Sequence, residues 1–337
     1  MSGIQVVTGA TGQVGLELCR ALRAEAKPVR AVVLPGDLQA PLLRDLGIEV
    51  AFADVRDLGA LTAAFTGADT VYHLAAIVST TARHDPRMWQ VNVEGARNAA
   101  TATREAGARR MLYFSSIVVF DPAPHGDPLD ETRPRLPVTE GSPYVRSKVV
   151  AEAIVRAAIT GGLDAVIVHP TVVIGANETH HIGVVQSLFF AYFGRTLPAT
   201  VRGGGFNAVA VGDVVAGAIA AAERGRCGES YILGGEYGSL MDMLRRVQPL
   251  SGAPLPRLSV PMTLARASLP LMDAVARLTG TRPTFTPEDL RQLGGNRKIS
   301  SHKATRELGY HAHGLDVALR QVHEAWVRRK AGLSLVR

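Results

Sequence analysis

Short runs of Val, Ile and Leu alternate with longer amphipathic stretches through the first half of the chain. Ile4 to Thr8 precedes Gly15 to Glu25, Val29 to Leu34 precedes Ala40 to Leu46, and Glu49 to Ala53 precedes Leu58 to Phe65. Thr70 to Leu74 then leads to Met88 to Ala106, followed by Arg110 to Ser115, Pro143 to Thr160 and Ala165 to His169. Consecutive apolar positions belong to strands covered on both faces, and regular alternation with helices builds a parallel sheet. The pattern predicts an α/β fold with a doubly wound parallel sheet.

Beyond Pro170 the rhythm loosens. Gly203-Gly204-Gly205 precedes an apolar run and helix over Asn207 to Ala222, Ser230 to Leu233 reads as a last strand, and Pro254, Pro256, Pro261, Pro270 and Pro283 punctuate the rest. This predicts a Rossmann-like core over residues 1–176, to which 206–234 return. Residues 177–205 and 235–337 are expected to form a smaller, mostly helical substrate-binding lobe over the carboxyl edge of the sheet.

Composition narrows the class. At 337 residues, 47% hydrophobic and 20% charged, the chain is neither disordered nor fibrous, and with 5% aromatics its interior must be filled by Ala, Val and Leu. Cys19 and Cys227 are too far apart in sequence for a CxxC site and too few for a disulfide framework, which points to reduced thiols. No basic segment precedes an apolar run at the N-terminus, and Asp213 interrupts the most apolar stretch, Val209 to Ala222, short of the roughly 18 residues of a membrane helix. A cytoplasmic protein without a membrane span is expected. The net charge of +7 lies wholly in Arg291 to Arg337, which carries ten Lys/Arg against three Asp/Glu. A charge excess confined to one end reads as a solvated helical face rather than a nucleic-acid site.

Thr8-Gly9-Ala10-Thr11-Gly12-Gln13-Val14-Gly15 follows the first strand directly and opens a helix. Glycines let the backbone approach a pyrophosphate, and a helix N-terminus offers free N–H groups, so Gly9, Thr11, Gly12, Gln13, Val14 and Gly15 are expected to hold a dinucleotide. The second strand ends at Leu34, with Arg30 and Asp37 on either side. Without an acid at the strand end itself, the reading for the cofactor, NAD(P), leans to NADP. Asp54, with Val55 beside it, ends the third strand and could accept from the adenine amino group, while Asp57 suits the cap of the following helix.

Tyr144-Val145-Arg146-Ser147-Lys148 places a phenol and an ammonium four residues apart, one above the other on a helix that Pro143 opens. A nearby cation favours the phenolate, and the ammonium together with an oxidised nicotinamide would make Tyr144 a usable acid or base. Ser115 and Ser116 end a strand where a parallel sheet presents its active edge, and either could bind the reacting oxygen or merely terminate the strand. Asn92 has two readings, a bridge towards Lys148 or a bond within its own helix. His180-His181 and His311-Ala312-His313 lack a zinc spacing, so no metal is expected. Leu188-Phe189-Phe190-Ala191-Tyr192-Phe193 reads as core or as the wall of an apolar pocket, and Arg195 and Arg202 keep a diphosphate substrate open.

Thr8 to Gly15, Asp54, His73-Leu74-Ala75-Ala76, Asn92 to Asn98, Phe114-Ser115-Ser116, Tyr144 to Lys148 and His169-Pro170-Thr171 together resemble an extended short-chain dehydrogenase/reductase. Gly225 to Gly235 and Val209 to Val215 are similar to the branch of dihydroflavonol reductases, 3β-hydroxysteroid dehydrogenases and hopanoid-associated epimerase-like proteins. The resemblance implies that Ser116 polarises the substrate oxygen, Tyr144 carries the proton, and Lys148 binds the nicotinamide ribose and tunes Tyr144. Leu74, Ala75, Ala76, Pro170, Thr171 and Val172 would line the cofactor, and a homodimer would be expected. It implies hydride transfer between a ketone and a secondary alcohol. A sugar-nucleotide epimerase or dehydratase is the alternative, and a nucleotide-sensing regulator a third. Leu34 and Phe120-Asp121-Pro122 depart from the branch, which often has Arg and Tyr-Gly at those places.

Overall fold

The computed structural model describes residues 3–78, 85–179, 182–197, 199–279 and 286–332. The first half alternates as its apolar periodicity requires: β1 (Ile4–Thr8), α1 (Gln13–Ala24), β2 (Val29–Val33), α2 (Ala40–Asp45), β3 (Glu49–Phe52), α3 (Leu58–Phe65) and β4 (Ala68–His73). There follow α4 (Pro86–Trp89), a π-helical turn over Gln90–Glu94, α5 (Gly95–Glu105), β5 (Arg110–Phe114), α6 (Pro143–Thr160) and β6 (Ala165–Pro170). The helix expected over Met88 to Ala106 is thus interrupted by a π turn, a feature frequent at functional sites.

The remainder comprises β7 (Val172–Ile174), α7 (Val184–Phe193), β8 (Ala199–Arg202), β9 (Gly205–Ala210), α8 (Val211–Arg224), β10 (Ser230–Leu233) and β11 (Glu236–Ser239). It closes with α9 (Leu240–Ser251), β12 (Leu258–Pro261), α10 (Met262–Thr279), α11 (Pro287–Leu293), α12 (His302–Leu308) and α13 (Leu315–Lys330).

Seven parallel strands form the main sheet in the order β10-β6-β5-β4-β1-β2-β3. Every residue of β5 and β6 is buried, which is why these strands read as unbroken apolar runs. One face is covered by Leu16, Leu18 and Leu22 of α1 and by Val214, Ala218 and Ala221 of α8. The other is covered by Leu61 of α3, Ala99 of α5, and Ala151 and Val155 of α6. The chain leaves β1 on one side for β2 and β3 and returns on the other as β4, so a crevice opens between the carboxyl ends of β1 and β4.

Two details differ from the expected division. Residues 206–234 do not return to the core as one block: β9 pairs with β7 and β11 in a separate three-stranded sheet, while α8 and β10 rejoin the main one. Conversely, Ala304, Leu308 and Tyr310 pack into the main core, where the Tyr310 hydroxyl donates to Gly234 O at 2.9 Å. Edge strand β10 is covered there by α12 as well as by α8. The lobe also contains β8 and β12, paired in parallel, so it is less purely helical than its prolines suggest.

Candidate functional site

The glycine turn between β1 and α1 is shaped by contacts that a side chain would break. Gly9 has φ +68°, and a Cβ there would lie 2.9 Å from Ala75 N, while one on Gly15 would lie 2.2 Å from Gly9 O. A Cβ on Gly12 would meet only Gly9 O, at 3.3 Å, so the ground above the first turn of α1 is open. The side chain of Gln13 donates to Ala176 O at 2.9 Å and to Gln186 Oε1 at 3.1 Å, tying the turn to α7, while Val14 faces the cavity described below.

The charges at the end of β2 are sorted by the turn that follows it. Arg30 points away from the glycine turn, bonding Glu49 at 2.7 Å and the carbonyls of Ala64 and Thr66 at 3.0 and 2.7 Å. Asp37 instead accepts from Thr11 Oγ1 at 2.8 Å, because the turn after Leu34 carries it back over the loop. A carboxylate therefore adjoins the glycine turn, which weighs against the lean to NADP. Asp57 caps α3 as expected, accepting from Ala60 N at 3.0 Å. Asp54 is gripped by Arg56, whose Nη2 lies 2.6 Å from its Oδ2, so this carboxylate is already partnered. Its neighbour Val55 is buried, and its carbonyl accepts from Asn98 Nδ2 at 3.0 Å.

At the carboxyl ends of β4, β5 and β6 the structure brings the expected chemistry together. Ser142 caps α6 by accepting from Val145 N at 3.3 Å, and Pro143 fixes the first turn, so Tyr144 and Lys148 share one face. Tyr144, Lys148, Ser116, Leu74, Ala76, Pro170, Thr171 and Val172 all line one cavity of about 480 Å³. The Tyr144 side chain is hydrogen-bonded to Ser116. Ser116 also caps the short turn after β5, accepting weakly from Val118 N at 3.4 Å, so it both ends the strand and reaches the phenol. Ala75 is set against the glycine turn, its N–H donating to Thr8 Oγ1 at 3.3 Å.

The charge states of the protein groups are set mainly by burial. Burial pushes the Tyr144 phenol up to about 12, against the pull of the Ser116 bond, so it rests protonated. The Lys148 ammonium donates to Phe114 O at 2.7 Å and lies 3.5 Å from the Tyr113 hydroxyl. Burial brings Lys148 itself down to about 8, with the charge of Glu152 resisting. His73 accompanies them beneath the turn, bonded to Thr8 Oγ1 at 2.9 Å, and burial with the Lys148 charge holds it down to about 3, hence neutral.

Asn92 meets neither of its two readings. Its Oδ1 accepts from Ile77 N at 2.7 Å, and its Nδ2 donates to Ile77 O at 3.0 Å and to Ser147 Oγ at 3.0 Å. It fastens the segment after β4 to α6 and so fixes the wall beside Tyr144. Glu152, His169 and Arg135 were not singled out as site residues by spacing, although Glu152 stands four residues beyond Lys148 and their cluster adjoins the site. The Thr171 hydroxyl is buried without a partner on the cavity wall, a polar atom a ligand can satisfy.

Val78, Ile117, Phe120, Leu129, Val184 and Phe206 give the cavity a largely apolar wall, on which His125, Asn207, Arg266, Arg291, Gln292 and Asn296 place polar groups. The aromatic run of α7 serves as core, with Phe189, Tyr192 and Phe193 buried, and α7 meets the cavity through Val184 and Val185. Arg195 and Arg202 are not on the cavity lining, and Arg291 is held by Glu288 at 2.7 Å. A second cavity, of about 520 Å³, is lined by Arg226, Glu229, Lys303 and Glu307 among others, and these pair with one another at 2.5 to 3.5 Å. His313 is engaged by Asp213, and His180 and His181 lie outside the described residues. No helix among the described residues is long and apolar enough to cross a membrane.

Comparison with known proteins agrees with this geometry. Residues 5–234 match the family model described as "NAD dependent epimerase/dehydratase family". The chain is 34% identical over 307 residues to sterol demethylase protein B of Methylococcus capsulatus, covering 90% of this chain and 92% of that protein. It is 31% identical to a 4-hydroxy-2-methyl-3-oxo-4-farnesyl-3,4-dihydroquinoline-1-oxide ketoreductase of Stigmatella aurantiaca, covering 95% and 96% of the two chains. Among solved structures, gox2253 superposes with a TM-score of 0.83 at 32% identity over 97% of this chain and 98% of that one. A UDP-glucuronic acid 4-epimerase of Bacillus cereus, in complex with UDP-glucuronic acid and NAD, shares the fold with a TM-score of 0.75 at 19% identity, over 97% and 99% of the chains. A glycine turn at the switch point, a buried tyrosine–lysine pair beside it and a family match over the whole sheet converge: the chain belongs to the NAD dependent epimerase/dehydratase family and is an oxidoreductase of the extended short-chain dehydrogenase/reductase type.

Proposed function

We propose that this protein is an NAD-dependent oxidoreductase that interconverts an apolar ketone and its secondary alcohol at Ser116, Tyr144 and Lys148. The observation that carries the reading is the Tyr144 phenol, bonded to Ser116 on the wall of a largely apolar cavity of about 480 Å³. A sugar nucleotide needs cations for its diphosphate; Arg195 and Arg202 lie off the lining and Arg291 is engaged by Glu288, which leaves Arg266 as the lining arginine for that task, against a largely apolar wall. Residues 177–205 and 235–337 would act as the substrate lobe, closing the cavity with Val184, Val185, Arg291 and Asn296.

The residues present suit a nicotinamide dinucleotide: the open ground above Gly12, the close-packed Gly9 and Gly15, and the unpartnered Thr171 hydroxyl at the far end of the crevice. When bound, that cofactor supplies or accepts the hydride. Gly9, Thr11, Gly12, Gln13, Val14 and Gly15 would hold its pyrophosphate through backbone N–H groups at the start of α1, with Asp54, Val55, Leu74, Ala75 and Ala76 along the nucleotide half and Pro170, Thr171 and Val172 along the nicotinamide half. In reduction Ser116 donates to the substrate oxygen, Tyr144 gives it a proton, and Lys148 in its charged form stabilises the phenolate left behind.

The charge states set the pH dependence. Tyr144, pushed to about 12, stays protonated throughout the neutral range, whereas Lys148, at about 8, is charged below that pH and loses its charge above it. The kcat/KM for ketone reduction is expected to fall as pH rises through about 8; a rate still climbing beyond that point would contradict the assignment. Cofactor choice follows from Asp37, whose carboxylate adjoins the glycine turn where ribose hydroxyls would bind and a 2′-phosphate would be repelled. NADH is expected to be preferred over NADPH, and Asp37→Ala to lower kcat/KM with NADH by about ten- to a hundredfold, the worth of a charge-assisted hydrogen bond. Equal use of both cofactors by the unaltered enzyme would refute this.

The assay that tests the reading compares apolar cyclic ketones with UDP-sugars. Loss of NADH absorbance in step with ketone consumed is the expected result. Conversion of a UDP-sugar with no net change in nucleotide would establish the epimerase instead.

A further inference from the structure

Glu152 lies on α6 eight residues beyond Tyr144 and four beyond Lys148, on the same helical face, and its side chain is only 2% exposed. A carboxylate so placed needs full compensation. It has it: Oε2 accepts from Ser115 Oγ at 2.5 Å and faces His169 Nε2 at 2.8 Å, while Oε1 accepts from Arg135 Nε at 3.1 Å and Arg156 Nε at 3.0 Å. Burial opposes this charge, yet His169, Arg135 and Ser115 together hold the carboxyl well below its usual range, so it is ionised. His169 is kept neutral by burial, and its Nδ1 has no partner, so the proton sits on Nε2 and is donated to Glu152.

The consequence is a division of labour between the paired serines. The Ser115 proton is committed to Glu152, so Ser115 cannot serve the substrate, and its bond anchors the end of β5 from which Ser116 projects to Tyr144. The second consequence is electrostatic. Around the Lys148 ammonium stand His73 from β4, Tyr113 from β5 and Tyr144 from α6, all uncharged, and Phe114 O, to which it donates. Among the described residues the Glu152 carboxylate is the anion whose field supports it, while Arg135 and Arg156 hold the other oxygen.

We propose that Glu152 is a positioning residue for this site: one buried carboxylate both anchors the Ser115-Ser116 turn and supplies the negative charge that keeps Lys148 an ammonium. This rests on the Ser116, Tyr144 and Lys148 assignment above, and it adds two functions that act through neighbouring groups rather than on substrate.

The test compares Glu152→Gln, Glu152→Asp and Ser115→Ala, with far-ultraviolet circular dichroism and thermal melts to confirm folding. Glu152→Gln is expected to move the alkaline limb of the kcat/KM profile to lower pH by on the order of one unit, the effect of removing a neighbouring opposite charge. Glu152→Asp is expected to restore that limb while kcat remains reduced, because the shorter acid keeps the charge but not its reach to Ser115. Ser115→Ala is expected to lower kcat by about tenfold, the worth of one net hydrogen bond, with the limb unmoved. An alkaline limb in Glu152→Gln that coincides with that of the unaltered enzyme overturns the proposal. Should Glu152→Gln not fold, an unaltered kcat in Ser115→Ala overturns it. If the enzyme reduces no ketone at all, the function above fails separately, and the same comparison is made on the pH dependence of NADH affinity, read from nucleotide fluorescence. A limb common to Glu152→Gln and the unaltered protein again overturns the role of Glu152.

Discussion

Replacing Tyr144 with Phe is expected to cost turnover about a hundred- to ten-thousandfold, the range for losing a positioned general acid, while leaving NADH affinity nearly as it was. The phenol is buried with its side chain bonded to Ser116 on the cavity wall, whereas the Ser115 proton is bound to Glu152 and Lys148 donates to Phe114 O. The ring itself packs in the wall and survives in Phe, so the fold and the cofactor crevice should be spared. Steady-state reduction rates and NADH fluorescence titration, made on the same preparation, separate the two quantities. Turnover within a few-fold of the unaltered enzyme would remove Tyr144 from the mechanism.

Gly15→Ala should strike the nucleotide instead of the chemistry. The added methyl would lie 2.2 Å from Gly9 O and 2.9 Å from Ala10 Cα, and both are backbone atoms in a turn with no slack. Either the turn opens or α1 moves off the sheet, where Leu16, Leu18 and Leu22 are fully packed. Overpacking of this kind costs about 1–3 kcal/mol, and the displaced N–H groups no longer converge on a pyrophosphate. The expected outcome is a lower melting temperature together with NADH affinity weakened at least tenfold, by thermal melt and fluorescence titration. Affinity and stability both unchanged would mean that the turn is not the nucleotide cradle.

These residues also show where the sequence is readable. The glycine turn, the strands and the Tyr144–Lys148 pair are local patterns: their meaning depends on spacing within one turn or one strand, and the structure assembles them as the spacing requires. The orientation of charges is not local. Arg30 and Asp37 stand seven positions apart around Leu34, and only the path of the turn after β2 decides that Asp37 meets Thr11 while Arg30 reaches Glu49. Similarly, nothing beside Ser115 or Ser116 tells them apart, because the distinction comes from Glu152, on a helix distant in sequence. The surroundings of Tyr144 are equally non-local: Lys148 stands one turn along the helix, whereas burial raises the phenol and a carbonyl at the end of β5 accepts from the ammonium. The place of β9 was equally hidden, since an apolar strand reads alike in either sheet.

The account stands on net transfer of hydride to a carbonyl carbon beside Tyr144. Its most direct test supplies NADH carrying deuterium at the transferable position with an apolar ketone substrate and follows the product by mass spectrometry. One deuterium on the carbinol carbon for each NADH consumed is the predicted result. Product without the label, or a sugar nucleotide epimerised while the labelled NADH persists, would contradict it.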